Sequence, residues 1–138
     1  MKNKIILIAA VILLLLFVLP AKVDDDAAKL ANTFYSNLKI HDFSGNFQYF
    51  SNDYFERTSK HDAMKYFNKM YNDFGDVTNY ELISQRSNRL RNTVNLGKVA
   101  VLKFDVAHRN GKTEETFVLF KKYNETFYRI DEFISLPK

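Results

Sequence analysis

Residues 98–120 read KVAVLKFDVAHRNGKTEETFVLF. Apolar and polar side chains alternate on both sides of Asn110-Gly111, the period of two that a pleated strand imposes. Asn-Gly is the pair favoured by a two-residue type I′ turn, because both central positions of that turn need positive φ. The stretch therefore predicts an antiparallel hairpin with strands over 98–109 and 112–122. Centring the turn on Asn110-Gly111 sets Arg109 against Lys112, Phe104 against Phe117 and Leu102 against Leu119. Leu102, Phe104, Val106, Phe117 and Leu119 then share one face. The other face carries Val101 against Phe120, Lys103 against Val118 and Asp105 against Thr116.

The same period extends outward in both directions. Strands are predicted over 78–90 and 126–135, with Asn92 to Gly97 linking the first to the hairpin. Tyr123-Asn124-Glu125-Thr126 is a weaker turn leading to the last strand. Simple alternation gives that strand Tyr128, Ile130 and Ile134 on one face and Phe127 and Phe133 on the other.

Upstream of Gly75 the spacing changes to three and four. Residues 24–40 predict a helix with Ala27, Leu30, Ala31, Phe34 and Leu38 on one stripe and Asp24 to Asp26 at its electropositive start. His41-Asp42 ends it. A short helix is expected near 44–50, then a turn at Ser51-Asn52-Asp53. A further helix spans 60–74, with Ser59 as N-cap and Asp62 three positions on, a capping box with Asp in place of Glu. Its buried side is Ala63, Met64, Phe67, Met70, Tyr71 and Phe74, and Gly75 suits a left-handed C-cap.

Helices first and strands second give an α+β domain, with the N-terminal helices packed on one face of a curved four-stranded antiparallel sheet. The face away from the helices stays half apolar through Val99, Val101, Val118, Phe120, Phe127 and Phe133. An uncovered antiparallel sheet would alternate apolar with polar. A homodimer through this face would cover it, and so would strong curvature or the irregular 43–58 segment. Val101, Val118, Phe120, Phe127 and Phe133 are thus the candidate ligand or partner surface.

The first 26 residues are set apart. Lys2 and Lys4 precede an uncharged run from Ile5 to Leu19, followed by Pro20-Ala21, Lys22-Val23 and Asp24-Asp25-Asp26. A basic start, an apolar core and a small residue before a polar stretch are the parts of a secretory signal. As a helix the run would be about 22 Å long, short of the ~20 apolar residues of a comfortable span. Residues 1–23 are accordingly a signal peptide cleaved after Ala21, or an N-terminal membrane anchor. In either case 24–138 forms one domain outside the cytoplasmic membrane, and membrane contact is expected only through residues 5–19.

The chain has no Cys, which excludes disulfides, thiolate metal sites and a lipidated Cys anchor. With 13 Phe, 8 Tyr and no Trp, the core volume must come largely from Phe and Tyr. Lys2 and Lys4 supply half of the net charge of +4, so the domain lacks the concentrated basic face of a nucleic-acid binder. Arg86, Arg89, Arg91 and Lys98 read as a solvated sheet edge, and no nucleic-acid partner is expected.

The order of elements resembles a family. AKLANTFYSNLKIHDF, YFSNDYF, a helix ending FGDV, then YELISQ, the 98–120 hairpin and a closing FYRIDEFIS resemble the nuclear transport factor 2-like superfamily. The nearest resemblance within it is to small exported bacterial domains of unknown function, which end in an aromatic-Arg-hydrophobic strand like Phe127-Tyr128-Arg129-Ile130. This chain has Phe-Tyr where a Trp is common. The resemblance implies a cone-shaped, cystatin-like domain, with Tyr49, Tyr54, Phe104 and Phe117 in the cone interior. The superfamily contains isomerases, dehydratases, assembly subunits and non-catalytic binders, so fold does not decide function.

Candidate acids and bases are Asp42, Tyr49, Tyr54, Asp105, His108 and Asp131. Asp42 reads equally well as a cap, Asp105 lies on the outer face, and His108 stands next to the turn, where it would be solvated. No fixed spacing pairs any of them, and no catalytic residue is assigned. His41, His61 and His108 are scattered over different elements, so no metal site or cofactor is expected. The pattern points to a non-enzymatic extracytoplasmic domain binding a protein partner, such as an envelope protein, or a small apolar ligand. The alternatives are a small cone-fold enzyme of isomerase or hydrolase type, or a membrane-anchored subunit of an envelope or secretion assembly. An enzyme would show a buried carboxylate facing a Tyr or His inside the cone.

Overall fold

The computed structural model describes residues 24–90 and 97–138. The apolar run 5–19, the cleavage point after Ala21 and the link over 92–96 lie outside the described residues.

Helix α1 (Asp25–Lys39) starts where expected. The Asp24 carboxylate accepts the Ala27 N–H at 3.3 Å, and Asp25 and Asp26 occupy the first turn. Its buried stripe is Ala27, Ala31, Phe34, Tyr35 and Leu38. Tyr35 takes the deep place that periodicity offered to Leu30, which is only half-buried. A 3-10 helix (Ser44–Tyr49) follows, then α2 (Asn52–Arg57), where sequence suggested only a turn. Ser51 makes the difference by accepting the Tyr54 N–H at 3.0 Å as N-cap. In α3 (Lys60–Phe74) the Ser59 hydroxyl accepts the Asp62 N–H at 3.1 Å and donates to the Asp62 carboxylate at 2.9 Å. Gly75 ends α3 at φ 76°, ψ −162°, a combination that only glycine adopts without strain.

Strands β1 (Val77–Leu90), β2 (Gly97–His108), β3 (Gly111–Lys122) and β4 (Arg129–Pro137) form one antiparallel sheet in the order β1-β2-β3-β4. The α+β reading is thus what the chain forms.

Two details of register differ from the sequence expectation. His108 pairs with Gly111, so the loop residues are Arg109 and Asn110. Among the described residues only His41 and Gly75 have positive φ, and the turn is not type I′. The cause is tertiary. The Arg109 N–H donates to the Asp76 carbonyl and the Asn110 N–H to the Phe74 carbonyl, each at 2.9 Å. Gly111 serves close packing instead, since a Cβ there would stand 3.1 Å from the Phe74 ring. Leu102 now faces Phe117, Phe104 faces Glu115 and Val101 faces Val118. The slip is two residues, and a side-chain period of two carries every hairpin face assignment through it.

The second difference is a bulge. Val118 pairs with Glu132 but Leu119 pairs with Ile130, which leaves Asp131 as an extra residue on β4. Facing reverses there. Ile130 and Phe133 both enter the main core, and Ile134 packs on the opposite side. Phe133 therefore does not belong to the outer surface: its ring lies 5.0 Å from those of Phe34 and Phe117. Phe127 precedes β4, outside the sheet, and is 72% exposed.

The core fills the space between the helices and the inner face. Phe34 is its centre, with ring centroids of Tyr35, Phe50, Phe67, Phe117 and Phe133 all within 6.3 Å. Edge-to-face and tilted pairs of this kind add about 0.5–1.5 kcal/mol each beyond burial. On the outer face Val99, Val101 and Val118 form a second cluster, with Phe120 and Ile134 packed against it. Val101 is 1% exposed within a single chain, so these valines do not require a second protomer to shield them.

Candidate functional site

Two cavities open where β3 gives way to β4. The first, about 560 Å³, lies between the 3-10 helix with α2 and the ends of β3 and β4. Phe47, Phe55 and Phe120 contribute its aromatic surfaces, and Lys60, Glu56, Asp131 and Arg129 its charges. Phe47 and Phe55 meet edge-to-face at 5.6 Å, and the Lys60 Nζ stands 5.5 Å above the Phe55 ring. The second cavity, about 570 Å³, has Leu30, Tyr49 and Phe127 among its walls, with Asp26 and Lys29 from α1. Arg129 and Gln48 border both. The Arg129 Nη1 donates to the Gln48 carbonyl at 2.6 Å, which ties the start of β4 to the 3-10 helix and divides the groove.

The bulge residue holds the groove in shape. The Ser51 hydroxyl donates to the Asp131 carboxylate at 2.8 Å, and the Ser51 N–H donates to the Ile130 carbonyl at 2.9 Å. The Arg57 Nη2 donates to the Asp131 carbonyl at 2.6 Å and lies 3.7 Å from the Glu132 carboxylate. Burial raises the Glu132 carboxyl above its usual range, with the Arg57 charge opposing. Burial likewise pushes Tyr54, the buried residue of α2, up to about 12.

A different cluster lies deep between α1 and the sheet. Glu115 is fully buried. It accepts from the Tyr35 hydroxyl at 2.7 Å, the Thr113 hydroxyl at 3.0 Å and the Ser135 hydroxyl at 3.3 Å. The Thr113 oxygen faces His108 Nε2 at 3.0 Å. With the Thr113 proton committed to Glu115, that oxygen accepts from the imidazole N–H. Burial, and after it the Glu115 charge, hold the Tyr35 hydroxyl far above the ordinary phenol value. His108 is buried rather than solvated, because its turn is drawn under Phe74, whose ring lies 5.5 Å from the imidazole.

This cluster has the carboxylate, Tyr and His that an acid–base site needs, but Glu115, Tyr35 and His108 are all buried. The cavity that adjoins His108 holds about 20 Å³, little more than one water. Among the described residues no group of three or more His, Asp or Glu is placed to hold a metal ion.

The remaining candidates separate. Tyr54, Phe104 and Phe117 are in the main core, and Tyr49 is half-buried against it at the groove. Val101 and Val118 belong to the outer cluster, while Phe120 both packs on that cluster and lines the first cavity. Asp42 accepts the Gly45 N–H at 2.9 Å from one residue ahead of Phe43, which is the N-cap of the 3-10 helix. Asp105 is ion-paired with Lys138 on the outer face. Glu115, Thr113 and Arg129 were missed. Strand alternation carried back from Phe117 puts 115 and 113 inward, which was the available signal for the first two. For Arg129 the sequence offered none, since its partner is a carbonyl 81 residues away.

No family model matches the chain, and neither a curated protein nor a solved structure matches it.

Proposed function

We propose that this chain is a non-enzymatic binding domain displayed outside the cytoplasmic membrane, and that its partner is a segment of another protein laid in the groove beside Arg129. One observation carries the choice of binder over enzyme. The two cavities combine aromatic and charged side chains, whereas the buried Glu115–Tyr35–His108 cluster lines neither of them. An apolar centre within a polar rim is the usual make-up of a protein interface. A volume of this order takes one or two apolar side chains of an incoming segment. The order of helices and sheet also agrees with the nuclear transport factor 2-like resemblance, in which non-catalytic binders are common.

Amide NMR of the domain, titrated with a set of short peptides carrying one aromatic residue between charged ones, tests this. Shifts concentrated at Phe47, Phe55, Phe120 and Arg129, and lost in Phe55→Ala, are expected. Shifts scattered over the surface, or none, contradict the proposal. The enzyme alternative stands on the Glu115–Tyr35–His108 cluster alone, and turnover of any substrate that Glu115→Gln abolishes in a still-folded chain would restore it.

A further inference from the structure

The sheet has two outer edges, and only one of them is closed off. Along β4 the outward backbone groups find partners beyond the sheet. The Ser51 N–H donates to the Ile130 carbonyl, Arg57 donates to the Asp131 carbonyl, and the Tyr66 hydroxyl accepts the Ser135 N–H at 3.1 Å. β1 pairs with β2 alone, and among the described residues no backbone hydrogen bond from outside the sheet reaches Val77–Leu90. An unpaired edge is a template for another strand, and Lys and Pro are common guards against that. β1 runs for 14 residues and holds neither. At its middle, Leu82 and Ile83 are 39% and 45% exposed.

The charges of β1 say what kind of strand fits. Leu82 pairs with Phe104 and Ser84 with Lys103, which leaves Ile83 as a bulge residue. Glu81 and Arg86, at an odd spacing, would stand on opposite faces of a regular strand. The bulge puts both on the outer face, Glu81 opposite Asp105 and Arg86 opposite Val101. Two acids thus lie side by side, which is unfavourable. Asp105 is paired with Lys138 and the nearby Lys103 with Glu114, but no ion pair among the described residues uses Glu81. Two copies of β1 laid antiparallel, with a two-fold axis between positions 83 and 84, set each Glu81 opposite the partner's Arg86. Leu82 then lies opposite the partner's Gln85, face matching face. Arg86 keeps an interaction within its own chain, to which the partner's Glu81 is added.

We infer that β1 is a self-association edge, through which two copies of this chain join their sheets into one continuous antiparallel sheet. The interface is isologous, so a single self-complementary strand supplies both halves. It leaves the outer valine cluster within each protomer. The groove beside Arg129 lies at the β4 edge, the opposite one, so the dimer presents two grooves and can hold a two-site partner more tightly than either groove alone.

The test is sedimentation equilibrium of the full chain and of two charge exchanges. A dimer is expected, weakened about tenfold in Glu81→Arg and in Arg86→Glu, each of which sets like charges opposite one another at both ends of the pairing. An equal mixture of the two variants restores both ion pairs in the heterodimer, and the double exchange Glu81→Arg with Arg86→Glu restores them in a homodimer. Both are expected to associate as the unaltered chain does. Hydrogen exchange of the unaltered chain supplies a check that needs no variant: β1 amides should slow as protein concentration rises through the dimer midpoint. A monomer throughout, a dimer indifferent to both single exchanges, or a dimer whose β1 amides stay unprotected overturns the inference. A mixture that stays monomeric while each variant keeps its fold by circular dichroism overturns it too. Where a variant loses its fold, the hydrogen-exchange result decides alone.

Discussion

The two ends of the sheet treat charge in opposite ways. At the Arg109-Asn110 end the Asp76 carboxylate takes both Arg109, at 3.0 Å, and His41, and Lys138 reaches Asp105. Farther along the same hairpin Lys103 meets Glu114 at 3.1 Å. Here Arg109, His41, Lys138 and Lys103 each meet an acid from the chain itself, and the loop is fixed by backbone bonds to Asp76 and Phe74. At the other end Lys98 faces Lys121, with Lys122 beside them. A hairpin built by the same alternation thus gathers opposite charges into ion pairs at one end and sets two lysines face to face at the other, where Lys121 stands over the Tyr128 ring and Glu125 lines the same cleft. The first arrangement serves stability. The second costs some stability.

The core between the two ends sets the energy scale. Phe117→Ala should cost about 3–5 kcal/mol in urea denaturation, because Phe117 is fully buried among Phe34, Phe104 and Phe133. A loss below about 1 kcal/mol would show that the inner face is not the core. Next comes an alkaline transition. Burial holds the hydroxyls of Tyr35, Tyr54, Tyr66 and Tyr128 above their ordinary value, Tyr54 at about 12. Folding therefore favours the neutral phenols. Their contribution is complete below the unfolded value of about 10 and is lost as pH rises through the folded values. Stability measured against pH should fall between pH 10 and about 12, and a flat profile there would contradict the packing of α2 and α1 on the sheet. Gly75→Ala, at the paired end, should cost about 1–3 kcal/mol because φ 76°, ψ −162° is closed to a residue with a Cβ. An unchanged midpoint would mean that the α3–β1 junction can re-form without that conformation.

Alternation and helical spacing were enough to read the α+β order, the inner face of the hairpin and the stripe of α1. They failed where backbone partners are distant. Asn110-Gly111 carries the local signal of a type I′ turn, but hydrogen bonds to Phe74 and Asp76 outweigh that local preference and move the loop back by one residue. The bulge at Asp131 follows from its ties to Ser51 and Arg57, which are 80 and 74 residues away. Without it, Phe133 belongs to the outer face. Glu115 lay within reach of simple alternation, but a buried carboxylate is uncommon enough that its charge argued for solvent. The groove was half legible. Phe120, Phe127 and Tyr49 stand at its edges, while Arg129, which divides it, is fixed by a bond that sequence does not announce.

The most direct measurement is the urea stability of full-length Lys98→Glu, which sets a carboxylate opposite Lys121. If the facing lysines repel, stability should rise by about 0.2–1 kcal/mol. A fall in stability would mean that the chain itself already holds Lys98 in a favourable contact, and the contrast between the two ends would not stand.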